Sequence, residues 1–355
     1  MKKILLLIIS FSIVISLYSQ KPNIVGFKAS YGSILPHHKD MRVLIKKHIK
    51  EFNLQLGIQT NGNYEWQKVW KYPEIGFGLF YADLGNPAQL GNSKAFYLYI
   101  KKAIVSKGIW SLNSYVALGT AHLSKFFNPT ENYLNFTNGS AFNIFANINI
   151  ENSFRIKNYI VYADLGLTHF SNGGTQMPNL GLNLIATSMG VKYIFRENKI
   201  TKNPHILDIP KFDFYFLQSF TMHDDDFSLS DKKNIAMTTT ADYGYYVSKS
   251  FRISAGIDIF YDDVAPKYLI YQGTTEYSRK DYFSLGLHAG FTGVFGKLQF
   301  SVQPIFFFYK KYKESILFER YAFRYHIGKH FIVGAGLIAD YFNAKFIEPS
   351  IGFRF

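Results

Sequence analysis

The chain has 355 residues, of which 39 are Lys or Arg and 25 are Asp or Glu, so its formal charge is +14; it has no cysteine. Hydrophobic residues make up 48%, which excludes a disordered chain, since that much apolar side chain collapses in water. The missing cysteine excludes a disulfide-stapled fold and thiolate metal sites.

The first element is N-terminal. Lys2 and Lys3 precede an apolar run from Ile4 to Leu17, followed by Tyr18, Ser19 and Gln20. A basic start, a short apolar core and a small residue near its end predict a secretory signal peptide over residues 1–20, cleaved near Ser19 or Gln20. The run is shorter than the roughly 20 apolar residues that an anchor needs, and without cysteine at the junction there is no lipoprotein anchor. Residues 21–355 are expected to be exported.

From there the chain is written in period two. Phe251, Ile253, Ala255, Ile257, Ile259 and Tyr261 alternate with Arg252, Ser254, Gly256 and Asp258, and Ile144, Ala146, Ile148 and Ile150 oppose Asn143, Asn147, Asn149 and Glu151. Side chains i and i+2 share a face of a strand, so each segment has one apolar and one polar wall. A soluble sandwich has the same alternation with its apolar face inward. The signal peptide and an 18% aromatic share, about twice that of an ordinary soluble domain, favour lipid outside and rings at the two membrane interfaces.

The fold class read here is all-β, a transmembrane antiparallel barrel of the outer-membrane type. About sixteen candidate strands begin near Asn23, Glu51, Glu74, Ala95, Gly108, Phe142, Asn158, Gly181, Lys211, Asn234, Phe251, Asp281, Lys297, Ser315, His330 and Phe346. Tight connections follow even-numbered segments and long polar ones mostly follow odd ones. Short turns belong in the periplasm, so both chain ends are expected there. Asn61 to Tyr72 and Arg196 to Pro210 are longer than this rule likes. The last strand ends Ile351, Gly352, Phe353, Arg354, Phe355; its terminal aromatic resembles the closing strand that the barrel assembly machinery reads. The expected address is the outer membrane.

One segment carries chemistry. Tyr159, Val161, Ala163, Leu165 and Leu167 form a lipid-facing set, and His169 and Ser171 continue its parity; Asn183 opens the apolar face of the next segment. If the two strands pair antiparallel, His169, Ser171 and Asn183 meet at the outer rim, pointing at the membrane. A serine hydroxyl becomes a nucleophile when an imidazole takes its proton, and an amide oxygen can orient that imidazole. Backbone N–H groups of the Asn172-Gly173-Gly174 turn are candidate oxyanion donors. With 10 histidines a bare His-x-Ser arises about once by chance. His122-Leu123-Ser124 is the internal control: nothing like Ser-Asn-Gly follows it, and Phe136 stands where Asn183 does.

The string His169-Phe170-Ser171-Asn172-Gly173-Gly174, with Pro178-Asn179 and Gly181, resembles the signature of the outer-membrane lipid A deacylase (PagL-like) family. The resemblance implies an eight-stranded enzyme barrel, His169 as base, Ser171 as nucleophile, and Asn172 and Asn179 near the oxyanion. The family carries glutamate where this chain has Asn183. Outer-membrane phospholipase A is similar through Ser171-Asn172-Gly173 and completes its triad with asparagine, so a phospholipase remains an alternative, as does a non-enzymatic porin or structural barrel. The deacylase likeness covers about residues 21–197, and from about 205 onward the family offers no counterpart. One wide barrel with an aqueous lumen is favoured over an eight-stranded enzyme barrel plus further strands.

The implied partners are lipid A of lipopolysaccharide and outer-membrane lipid. Lys46 to Lys50 and Lys310-Lys311-Tyr312-Lys313 are candidate contacts for anionic phosphates. Acid clusters at Asp224-Asp225-Asp226 and Asp262-Asp263 read as solvated or bound to lipopolysaccharide cations. No cofactor, metal site or nucleic-acid motif is read.

Overall fold

The computed structural model describes residues 21–206, 209–224, 233–274, 276–312, 315–341 and 343–355. The expected signal peptide, Asp225, Asp226 and Lys313 lie outside these residues. The period-two segments form sixteen antiparallel strands. The first eight are β1 Ile24–Ile34, β2 Ile49–Gln59, β3 Glu74–Asp83, β4 Asn92–Lys107, β5 Trp110–Leu123, β6 Phe142–Ile156, β7 Tyr159–Ser171 and β8 Leu182–Ile194. The second eight are β9 Phe212–His223, β10 Asn234–Ser248, β11 Phe251–Asp262, β12 Phe283–Phe295, β13 Leu298–Tyr309, β14 Leu317–Ile327, β15 Phe331–Asp340 and β16 Asn343–Arg354. The largest offsets from expectation are at β4, read from Ala95, and β16, read from Phe346.

The strands close as two barrels of eight, β1–β8 and β9–β16, which corrects the expectation of one wide barrel. In the first, β1 pairs with β8 from Ile24↔Ile194 to Ile34↔Leu184. In the second, β16 pairs with β9, and Phe355 exchanges backbone hydrogen bonds with Phe214 at the seam. By contacts the chain divides into two units: residues up to Ser171 with Gly181–His205, and Asn172–Leu180 with Ile206–Phe355.

Each barrel inverts the soluble pattern. Phe27, Leu54, Leu79, Ile148 and Leu165 of the first and Phe216, Ile257, Leu287 and Ile351 of the second are exposed on the outer wall. Their polar neighbours are buried. In the first interior Glu74 takes Lys192 at 2.7 Å and Lys101 at 2.9 Å, Lys101 also reaches Glu151 at 3.1 Å, and Lys28 pairs with Asp164 at 3.0 Å. In the second, His288 lies between Asp258 (2.6 Å) and Asp242 (3.0 Å), Arg252 pairs with Asp213 and Asp242, and Arg320 with Asp258 and Glu348. Burying a charge is expensive unless it is paired. Closure at eight strands brings β3 opposite β8 closely enough for Lys192 to meet Glu74, whereas a sixteen-stranded ring would hold them apart. An eight-stranded interior is just wide enough for side chains to fill, so the expected aqueous lumen is replaced by two packed ionic networks.

In the first barrel the 3-10 turn Lys39–Leu44 of the β1–β2 connection sends Met41 and Leu44 into an apolar plug with Ile34, Phe80, Phe145 and Phe170. Tight turns follow β4, β6, β10, β12 and β14 as expected, although β15 and β16 are also joined by only two residues. The two connections that strained the rule are docked on each other. Asn61 Nδ2 donates to Lys199 O, Thr201 N to Asn61 O, His205 N to Asn63 O and Glu65 N to His205 O. The stretch after β8 is long because it leaves one barrel for the next strand set rather than turning back.

Candidate active site

The β7–β8 hairpin positions the sequence-predicted residues. In its register His169 lies directly across from Asn183, and on the other side Ala146 of β6 faces His169. The imidazole Nδ1 is 2.6 Å from Asn183 Oδ1. With the amide oxygen as acceptor, Nδ1 carries the proton and Nε2 is left with its lone pair, the tautomer a general base needs. His169 is half-buried. Ser171, two residues on and on the same strand face, is only 7% exposed although its parity is the outward one.

Two residues shape this corner. Gly181 has φ +77°, and a Cβ there would lie 2.7 Å from His169 Cε1, so glycine alone lets the chain pass against the imidazole. Gly181 belongs to the signature string, and this close approach is its physical reason. His37 was missed altogether. It follows β1, and its Nδ1 is 3.0 Å from Asn183 Nδ2. Leu35 N, two residues earlier, donates to Asn183 O at 2.9 Å and holds that stretch of chain beside β8. A histidine 146 residues from its partner carries no local signal, and only the β1–β8 seam brings the two together.

The turn after Ser171 is tied by its own side chains. Asn172 N–H donates to Asn179 Oδ1 at 3.0 Å, and Thr175 Oγ1 donates to Asn172 O at 3.0 Å. Gly173 and Gly174 follow at φ +67° and +78°. Of the candidate oxyanion donors in the Asn172-Gly173-Gly174 turn, the Asn172 N–H is engaged by Asn179 Oδ1. Asn179 acts on the backbone of this turn.

The control motif is built differently. His122 is exposed with its ring edge-on to Phe142 at 5.3 Å, Ser124 Oγ accepts from Asn92 N at 2.8 Å, and Phe136 lies in the connection after β5 rather than on a facing strand. Of the charged stretches, Lys46, Lys47 and Lys50 are exposed. Lys310 Nζ lies over the rings of Phe307, Tyr312 and Phe318, and Lys311 pairs with Asp281 at 2.8 Å. The acids expected in solvent are engaged: Asp224 accepts from Lys233 at 3.1 Å, Asp262 lies 3.1 Å from His223 Nε2, and Asp263 accepts from Ile235 N at 2.8 Å.

Residues 50–192, which include every residue of the hairpin site except His37, match the family model described as lipid A 3-O-deacylase (PagL). Residues 211–355 match that of the acyloxyacyl hydrolase C-terminal domain, PagL_C. The second half therefore has a family counterpart, which corrects the expectation of none from about residue 205 onward. No curated protein matches the chain. Solved structures similar to it include the outer-membrane enzyme PagL, at 14% identity and TM-score 0.33 over 46% of this chain and 97% of that one. The outer-membrane phospholipase A of Escherichia coli is similar at 10% identity and TM-score 0.19, over 94% of this chain and 90% of that one. The β domain of the Bordetella autotransporter BrkA is similar at 12% identity and TM-score 0.23, over 95% and 99%. Together the two family matches run from β2 to the final strand, and they make this chain an outer-membrane barrel protein of the PagL lipid A deacylase family.

Proposed function

We propose that this protein hydrolyses an ester-linked acyl chain of lipid A, the 3-O-linked one named by its family, with Ser171 as nucleophile, His169 as base and Asn183 as the residue that orients the base. The observation that supports it best is the 2.6 Å contact between His169 Nδ1 and Asn183 Oδ1, two residues from Ser171 at the loop end of β7. Ser171 Oγ attacks the acyl carbonyl carbon while His169 Nε2 takes its proton. The tetrahedral oxyanion collapses, the sugar alcohol leaves with the proton from the imidazolium, and the acyl group stays on Oγ. Water then attacks the acyl-enzyme, gives its proton to His169 and releases the fatty acid; the serine recovers its proton.

Asn172, Gly173 and Asn179 support this chemistry by holding a turn with little side-chain bulk at the serine, so that the ester carbon can approach. An apolar outer wall suits a substrate that arrives by lateral diffusion in the outer leaflet. We also read the Phe355 seam as the segment recognised by the assembly machinery.

The test is the lipid A mass spectrum of cells expressing the protein. Loss of one hydroxyacyl mass, absent with Ser171→Ala, supports the reading. Unchanged lipid A beside folded wild-type protein overturns it, and lysophospholipid release in its place points to the phospholipase alternative.

A further inference from the structure

We infer that His37 is a positioning residue for the hydrolase reaction: it accepts a hydrogen bond from the Asn183 side-chain N–H₂ and so keeps the amide oxygen turned to His169. The inference rests on the deacylase reading and adds a residue to its site.

A carboxylate presents oxygen to its neighbour whichever way it turns. An amide has one acceptor end and one donor end of nearly equal size. Were Asn183 reversed, its N–H₂ would face His169 Nδ1, the imidazole proton would move to Nε2, and the serine would lose its base. A site that uses asparagine therefore needs something on the far side of the amide to select its orientation. His37 Nδ1, 3.0 Å from Asn183 Nδ2, does so when its own proton is on Nε2. The chain of contacts then runs in one sense: Asn183 donates to His37, and His169 donates to Asn183.

His37 is held for this task from both sides. Before it, Leu35 N is bonded to Asn183 O; after it, Met41 and Leu44 are locked into the apolar plug. Between those anchors the exposed His37 ring reaches back over the rim to the Asn183 amide.

The experiment is a double-mutant cycle on the full-length protein in detergent, with lipid A as substrate and heat-modifiable gel migration as the check on folding. His37→Ala is expected to lower kcat about tenfold, the loss of one ordered hydrogen bond, with KM little changed. His37→Lys, a donor only, attracts the amide oxygen and is expected to be worse than alanine. His37→Gln, which offers an acceptor, restores part of the loss. In an Asn183→Glu background, which has no amide to orient, the same changes at residue 37 are expected to alter kcat less than about twofold. A loss of the same size in both backgrounds, or lysine no worse than alanine, overturns the inference. Nitrogen-15 NMR of the histidines in Ser171→Ala protein separates this from failure of the deacylase reading. His37→Ala is expected to shift His169 from the Nδ1–H toward the Nε2–H tautomer whether or not lipid A is the substrate. An unchanged tautomer overturns the inference alone.

Discussion

Gly181 and His169 are in contact so close that no side chain fits between them: a Cβ on Gly181 would sit 2.7 Å from the imidazole Cε1. The glycine leads into β8 with φ +77°, and Asn183, two residues later, meets the same ring through Nδ1. The backbone of the hairpin therefore packs the same ring that the amide contacts at 2.6 Å.

Gly181→Ala is accordingly expected to lose most deacylase activity while the barrel still folds. Gly108 is the control. It has φ +62° and nothing within 4 Å of an added Cβ, so alanine there carries the same left-handed strain, about 1–2 kcal/mol, without the collision. Activity against lipid A, normalised to heat-modifiable protein, distinguishes the two. Equal effects at both positions would reduce the contact to backbone strain.

Removing the amide acceptor has a different signature. Asn183→Leu keeps the branching at Cγ and leaves His169 Nδ1 without its oxygen, so kcat is expected to fall about tenfold or more. The β7–β8 pairing needs only the backbone of residue 183, and unfolding in urea is expected to be little altered. A variant of full activity would remove Asn183 from the site.

Glu74 has a structural role of another size. It is the shared partner of Lys192 and Lys101, all three buried in the first barrel. Glu74→Ala leaves two ammonium groups short of their counter-charge, and breaking such a buried pair costs about 3–5 kcal/mol. Glu197→Ala, which breaks an exposed pair with Arg155, is expected to change stability by less than about 1 kcal/mol. Urea unfolding of the refolded barrel in detergent measures both.

The two closures are testable with cysteine, because the chain has none of its own. Ser30 and Ser188 face each other across the β1–β8 seam with their hydroxyl oxygens 2.9 Å apart, and Ser219 and Ser350 are in register across the β9–β16 seam. The double variants Ser30→Cys/Ser188→Cys and Ser219→Cys/Ser350→Cys are each expected to form an intramolecular disulfide on oxidation, seen as a mobility shift without reductant. A single ring of sixteen would put β1 beside β16, and the first pair would not cross-link.

Much of this molecule is legible in one dimension. Alternation is a local property, so all sixteen strands, the outward parity of Val161, Leu165 and His169, and the tight turns at Lys157 and Gly296 can be read without knowing what lies across the sheet. Proximity along the chain also makes the hairpin pair His169–Asn183 readable, since a ten-residue connection leaves one natural pairing. The Asn172–Asn179 bond was less accessible, because the same motif that suggested an oxyanion role conceals which N–H its asparagine occupies.

What tertiary structure decided is where the ring closes. Strand pattern is the same for eight strands as for sixteen, because every strand has two edges and period two does not say which strand meets the last. The choice is made by contacts distant in sequence: Lys192 needs Glu74 across a narrow lumen, and Ile24 to Ile34 need β8. That closure fills the interiors and brings His37 to Asn183. Sequence alone determined the strands and their lipid-facing side; the long-range pairing of charges and edges determined the barrels, because only a folded ring makes residues 37 and 183 neighbours.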